Sequence, residues 1–414
     1  MRLYIDPGTG SMLFTILIGL LGTGMYFLRD AKVRLRFLFS RGKKSETADT
    51  SCVPFAIFTD SKRYWNLFEP ICEQFERRGL PMLYLTASPD DPALTKEYEH
   101  ITARFVGEGN RAFANVNFLK ADVVLSSTPG LDVYQWKRSK DVKWYIHVAH
   151  GANDPAMYRM FGLDFYDAVT VSGDYQVRQL REIEQKHHAS VKELPMLGLP
   201  HMDALLRRLE SAGPLPPHET TVLLAPSWGP NGIFRRFGSK ILEELLRTGY
   251  HIVVRPHPQT LATEKELIEP IMSAYPETAQ LEWNRDNDNF EVLRRADVLI
   301  SDFSGIIFDY ALVFQRGVIY TDVSYDKAPF DAWWLDEELW TFETLPKIGR
   351  LLTPDNLSSL KEMIDTMLHD PSYQTAIAEA RAETWANIGR SAELIADYMI
   401  DKQKELTAAS APEE

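Results

Sequence analysis

The chain has 414 residues, 45% hydrophobic and 25% charged, with a formal net charge of −13. That is long enough for two domains with separate cores and too acidic overall for sequence-independent binding to nucleic acid. Two cysteines, Cys52 and Cys72, exclude a disulfide framework or a cysteine zinc site and fit a reducing compartment. The charge is uneven: residues 1–44 hold eight Lys/Arg against two Asp, a local +6, which leaves −19 on the rest.

Between Pro7 and Leu28 there is no charged side chain, close to the roughly 20 apolar residues that cross a bilayer. A cleaved signal peptide would carry its basic residues before the apolar run. Here Arg29, Lys32, Arg34, Arg36, Arg41, Lys43 and Lys44 follow it. The pattern predicts one membrane-spanning helix, with the long C-terminal part on the cytoplasmic side and the basic neck against anionic lipid. Gly19, Gly22 and Gly24 give that helix a smooth face.

After a polar linker, seven short apolar runs read as strands: PFAIFTD, PMLYLT, ITARFV, ADVVLSS, VKWYIHVAH, AVTVS and KELPMLG. Helix-like segments such as Lys62–Arg78 and Tyr175–His188 separate several of them, the alternation of a doubly wound parallel sheet. Ser211–Glu219 is rich in proline and polar residues and reads as an interdomain connection. A second series follows: TVLLAP, YHIVVRPH, AQLEW, ADVLISD and GVIYTD. Past Thr353 the pattern is helical to about Leu406, then a polar tail, 407–414, has the composition of a disordered end. The predicted organisation is an anchor and neck (1–44), an α/β domain (45–210), a linker (211–219), a second α/β domain (220–352) and terminal helices (353–406). This layout resembles the GT-B architecture.

Ligands of such sheets bind beyond the carboxyl ends of the strands, so those ends hold the candidates. In the second domain TVLLAP runs into SWGPNG, where Ser227 and Gly229 make a loop able to approach an anion. YHIVV runs into Arg255-Pro256-His257-Pro258, with His257 held between two prolines. ADVLIS runs into Asp302-Phe303-Ser304-Gly305 and a helix carrying Asp309; Ser304 stands where an N-cap belongs, and the helix N-terminus suits a phosphate. Asp302 reads as orienting this turn, and Asp309 as a partner for a ribose or polyol hydroxyl or for the preceding turn. In the first domain VKWYIHVAH ends at His150-Gly151, an imidazole facing the cleft with room beside it and suited to deprotonating an alcohol. Strand alternation turns His147 inward. Asp154 and Asp167 are near enough in sequence to orient His150 or meet substrate. Ser127 (in SSTPG), His201 and Asp203 (in GLPHMDAL) complete the acceptor-side candidates, with Asp203 also readable as an ordinary first-turn acid. No P-loop, GxGxxG, CxxC or HExxH is present. Asp286 and Asp288 have the spacing of a metal-binding pair but fall in a polar turn, NRDNDN, and read as solvated.

Several of these segments together resemble the CDP-glycerol glycerophosphotransferases, membrane-associated enzymes that polymerise glycerol or ribitol phosphate in teichoic acids. The shared pattern is His150-Gly151, then Gly198-x-Pro200-x-x-Asp203, APSW at Ala225–Trp228, His257-Pro258, and Ser301-Asp302-Phe303-Ser304-Gly305-Ile306-Ile307-Phe308-Asp309, in order across about residues 140–325. The chain departs from it in lacking a Lys soon after His150-Gly151, and in carrying His201, Gly229 and Gly305 where Arg, Arg and Ser are usual. The resemblance implies a membrane-anchored transferase moving glycerol phosphate, or a similar polyol phosphate, from a CDP-linked donor to a lipid-linked glycan or polymer hydroxyl and releasing CMP. His150 would be the base. His257, Ser304 and the amides after it would hold the diphosphate, with Mg2+ left open. Two alternatives remain at this stage: a nucleotide-sugar glycosyltransferase or epimerase, and a catalytically silent envelope scaffold.

Overall fold

The computed structural model describes residues 52–409 apart from 287, 303 and 322–324. The predicted membrane helix and basic neck, and the last residues of the tail, lie outside the described residues. Among the described residues no helix is long and apolar enough to cross a membrane.

Two six-stranded, wholly parallel sheets form the molecule. The first contains β1 (Val53–Thr59), β2 (Met82–Thr86), β3 (Ile101–Phe105), β4 (Ala121–Ser126), β5 (Val142–Val148) and β6 (Ala168–Thr170), in the order 3-2-1-4-5-6. The second contains β7 (Thr221–Ala225), β8 (His251–Val254), β9 (Leu281–Trp283), β10 (Val298–Ser301), β11 (Val318–Thr321) and β12 (Gly349–Leu352), in the order 12-11-10-7-8-9. Counted from its own first strand, the second sheet repeats the order of the first. This is the doubly wound pattern whose switch point lies between the first and fourth strands.

The strands are legible because both faces are covered. Along β7 the side chains alternate: Leu223 and Ala225 enter one apolar layer with Val253 and Leu299, while Val222 and Leu224 enter the opposite layer with Ile252 and Val254. The first sheet does the same, with Phe55 and Ile57 on one side and Ala56 and Phe58 on the other. KELPMLG is not a strand: it makes only isolated bridges, Ala168 with Glu193 and Val171 with Met196, since Pro195 has no N–H to continue a ladder. Conversely, Gly349–Leu352 adds an edge strand that carries too little apolar pattern to be read as one.

The helix Pro200–Ala212 ends the first half, and the chain enters β7 at Thr221. The last helix, Ser391–Ala408, returns to the first half, where Ala392, Ile395, Ala396 and Met399 join the layer of Phe55 and Ile57. It includes Thr407 and Ala408, so the tail begins later than its composition predicts.

Candidate active site

The carboxyl ends of both sheets open on one cavity of about 610 Å³. From the first half come Arg63 and Tyr64, beyond β1, and His150 and Gly151, beyond β5. The second half supplies Arg255 and His257 beyond β8, and Ser304, Gly305 and Asp309 beyond β10. His201, at the start of the helix Pro200–Ala212, also lines it.

His150 leans on Tyr158, whose hydroxyl lies 3.4 Å from His150 Nδ1 and 3.1 Å from His147 Nε2. Burial, reinforced by His201, pulls the His150 pKa down to about 4 against the opposing influence of Asp309, so the ring is neutral at pH 7 with a nitrogen free to take a proton. His147 is fully buried, as strand alternation predicts, and burial takes it to about 3. A Cβ on Gly151 would meet nothing within 4 Å. Packing therefore does not require a glycine there, and its effect is to leave room beside His150.

His257 caps the short helix Pro258–Thr263, its Nδ1 accepting from the Gln259 N–H at 3.1 Å. An accepting Nδ1 carries no proton, so the neutral ring presents Nε2–H as a fixed donor. Burial, then the charges of Arg63 and Arg255, lower its pKa and hold it neutral. The Arg255 guanidinium donates to Asn284 Oδ1. Burial opposes the charge on Arg255, and Asp286 and Asp288 support it. Those two carboxylates are not merely solvated: Asp286 accepts from Asn284, and Asp288 pairs with Arg208 of the first half.

Asp309 pairs with His201, Nε2 to Oδ2 at 3.2 Å. Burial alone would lower the His201 pKa, but the charge and hydrogen bond of Asp309 outweigh it, and the pKa is raised. The helix after β10 is α-helical over Ile306–Phe308 and widens into a π turn over Asp309–Phe314, a form concentrated at functional sites. Its N-cap is Gly305, without a side-chain cap bond, so Ser304 does not cap it. Both residues instead line the cavity, and a Cβ on Gly305 would meet nothing within 4 Å.

Six of the sequence candidates are engaged or placed elsewhere. Ser227 donates its N–H and hydroxyl to Asp302, at 2.8 and 2.6 Å, so Asp302 orients the turn, as expected, and the Ser227 hydroxyl is not offered to a ligand. The Gly229 N–H points to Glu264 at 3.3 Å. Asp154, fully buried, accepts from Gln179, from the Trp340 and Thr341 N–H groups and from the Thr341 hydroxyl. It thereby caps the N-terminus of the helix Trp340–Ile348 across the two halves. Asp203 binds Trp385 Nε1, the Gly389 and Ser391 N–H groups and the Ser391 hydroxyl, anchoring the entry to the last helix. Ser127 is buried away from the cavity. Asp167 receives Arg138 and the Tyr145 N–H, far from an orienting role at His150. In the same motif Gly198 (φ +89°) is structurally required, since a Cβ would come 2.5 Å from the Ala386 carbonyl oxygen.

Arg63 is the cavity-lining cation the motif reading missed. It lies in the short turn Lys62–Tyr64 that follows β1, so the strand-end rule applied to β1 would have found it. Among the described residues no group of three or more His, Cys, Asp or Glu side chains is placed to hold a metal ion.

Two doubly wound parallel sheets whose carboxyl ends line one cleft have a GT-B-like fold. Solved structures of similar fold align over most of the chain. The wall teichoic acid polymerase TagF, soaked with CDPG, shares 18% identity over 94% of this chain and 99% of its own, with a TM-score of 0.58. A UDP-GlcNAc 2-epimerase from Methanocaldococcus jannaschii, in complex with UDP-GlcNAc and UDP, shares 13% over 84% and 99%, at 0.55. Another from Neisseria meningitidis, bound to UDP-GlcNAc, shares 12% over 84% and 99%, at 0.53. No curated protein matches the chain. Residues 139–330, which include both histidine motifs, match the family described as CDP-Glycerol:Poly(glycerophosphate) glycerophosphotransferase. That segment is just under half of the chain, and together with the likeness to TagF it supports a glycerophosphotransferase-like enzyme.

Proposed function

We propose that the protein moves glycerol phosphate, or a similar polyol phosphate, from a CDP-linked donor to a hydroxyl of a lipid-linked glycan or growing envelope polymer, with CMP as the leaving group. We further propose that residues 7–28 hold it in the membrane with the catalytic halves on the cytoplasmic side. The observation that carries the chemistry is the meeting of His150 and His257, from two different sheets, in one cavity within the family-matching segment.

His150 is suited to accept the acceptor's hydroxyl proton as that oxygen attacks phosphorus. Burial depresses its pKa to about 4, and a bound diphosphate would raise it by stabilising the imidazolium. His257 Nε2–H, the cations Arg63 and Arg255 and the backbone at Ser304–Gly305 are placed to bind the diphosphate and the charge that develops on CMP. Phosphoryl transfer rests mainly on such positioning and charge stabilisation. His201 and Asp309 complete the rim where the polyol would lie.

The test is calorimetric titration of the full-length protein in detergent with CDP-glycerol, CDP-ribitol, UDP-GlcNAc and CMP. Selective binding of a CDP-polyol, with CMP as a weaker competitor, is expected. Selective binding of the uridine nucleotide would replace this reading with a nucleotide-sugar enzyme. Binding of none by folded protein would favour a scaffold.

A further inference from the structure

Beside Tyr158 is a second, much smaller cavity of about 10 Å³, lined by His147, Asn153, Tyr158 and Thr170 among others. That is the lower limit of room for one water molecule. Three buried polar atoms of its lining residues have no protein partner: His147 Nδ1, Asn153 Oδ1 and Thr170 Oγ1. Unpaired buried polar atoms are costly, and a single water shared by these three would satisfy them. The adjoining atoms form a chain: His147 Nε2 to the Tyr158 hydroxyl at 3.1 Å, and that hydroxyl to His150 Nδ1 at 3.4 Å.

A hydroxyl has one proton, so this chain couples the two rings. For His150 to accept a proton at Nε2, its Nδ1 must carry a hydrogen and donate it to the Tyr158 oxygen. Tyr158 must then donate to His147 Nε2, which leaves the His147 proton on Nδ1. That N–H has no protein partner, and the water would accept from it and donate to Asn153 Oδ1 and Thr170 Oγ1. The reverse arrangement, with His147 donating from Nε2 and Tyr158 donating to His150, leaves His150 with Nε2–H and unable to act as a base.

We propose that Tyr158, His147 and one buried water are a tautomer-setting relay that keeps the His150 proton on Nδ1 and frees Nε2 for the acceptor hydroxyl. The proposal rests on the reading of His150 as the base. During transfer the acceptor oxygen bonds to the phosphorus of the glycerol phosphate group, the bond from that phosphorus to the CMP oxygen breaks with its electron pair on CMP, and the hydroxyl proton passes to His150 Nε2. The Nδ1–H stays on the Tyr158 oxygen throughout. Tyr158 and His147 are positioning residues and touch no substrate.

The direct test is imidazole 15N spectroscopy of full-length protein labelled at histidine, with signals assigned through His147→Gln and His150→Gln. At neutral pH both rings are expected as the Nδ1–H tautomer, and Tyr158→Phe should return His150 to the Nε2–H form. An Nε2–H His150 in the unmodified protein, or one indifferent to Tyr158→Phe, overturns the relay. In turnover of CDP-glycerol, Tyr158→Phe should lower kcat roughly 10-fold with KM within about twofold. His147→Gln, which keeps an acceptor for Tyr158, should retain more kcat than His147→Leu. A raised KM with unchanged kcat contradicts the relay. If CDP-glycerol is not turned over but the tautomers are as expected, the donor assignment falls and the relay stands.

Discussion

The two halves share a strand order and a local device, yet contribute different chemistry. In each, a serine ending the fourth strand donates to the carbonyl near the end of the first: Ser126 to Phe58 and Ser301 to Ala225, at 2.7 and 2.6 Å. The loops above this shared frame diverge. Beyond β7 the loop is tied through Ser227 to Asp302 in the turn after β10, whereas beyond β1 the equivalent loop brings Arg63 and Tyr64 into the cavity. Beyond β8 the second half offers a histidine locked as an Nε2–H donor. Beyond β5 the first offers a histidine backed by a tyrosine. The fold thus supplies two facing carboxyl edges, and in the proposed reading the side chains just past them divide the work into donor holding and proton removal.

That division can be broken from either side. The largest expected effect is on rate: His150→Ala should lower kcat by about 100- to 10,000-fold, measured as release of CMP from CDP-glycerol. Next is stability. Asp154→Ala strips the partner from two buried backbone N–H groups that join the halves, and should cost roughly 2–5 kcal/mol in denaturant unfolding. A loss under about 0.5 kcal/mol would mean the halves are held together elsewhere. Arg63→Ala should weaken CDP-glycerol binding about 10-fold by losing a first-half cation, and unchanged affinity would assign diphosphate binding to the second half alone. A further effect appears in acid. His147 and His150 have folded-state pKa values of about 3 and about 4, below the ordinary 6.5, so the unfolded chain binds more protons as pH falls below 6.5. Stability contributed by keeping them neutral is complete above that pH. It should fall by about 1.4 kcal/mol per pH unit for each ring down to its folded pKa. Unfolding curves at pH 7, 6 and 5 check this, and a flat profile contradicts it.

Where the sequence succeeded and failed has a physical pattern. Fully buried parallel strands such as TVLLA and VLIS are short, uninterrupted apolar runs, so eleven of the twelve strands and the two-sheet plan were readable. The site histidines were readable because strand ends converge in such sheets. Asp154 and Asp203 misled because a carboxylate that caps a distant helix and one that faces a ligand look alike in sequence. Their partners lie some 180 residues further along the chain. Tyr158, eight residues after His150, has no spacing signal, and its position depends on how the segment 151–160 folds back beneath β5.

The most direct test of the division measures both quantities on the same two variants: calorimetric affinity for CDP-glycerol and single-turnover CMP release, for His150→Ala and His257→Ala. A donor held mainly by the second half, with Arg63 reaching across, and a proton removed by His150 predict that His150→Ala keeps its affinity within about twofold while release collapses, and that His257→Ala binds about 10-fold more weakly. Lost affinity in His150→Ala together with unimpaired binding in His257→Ala would contradict it.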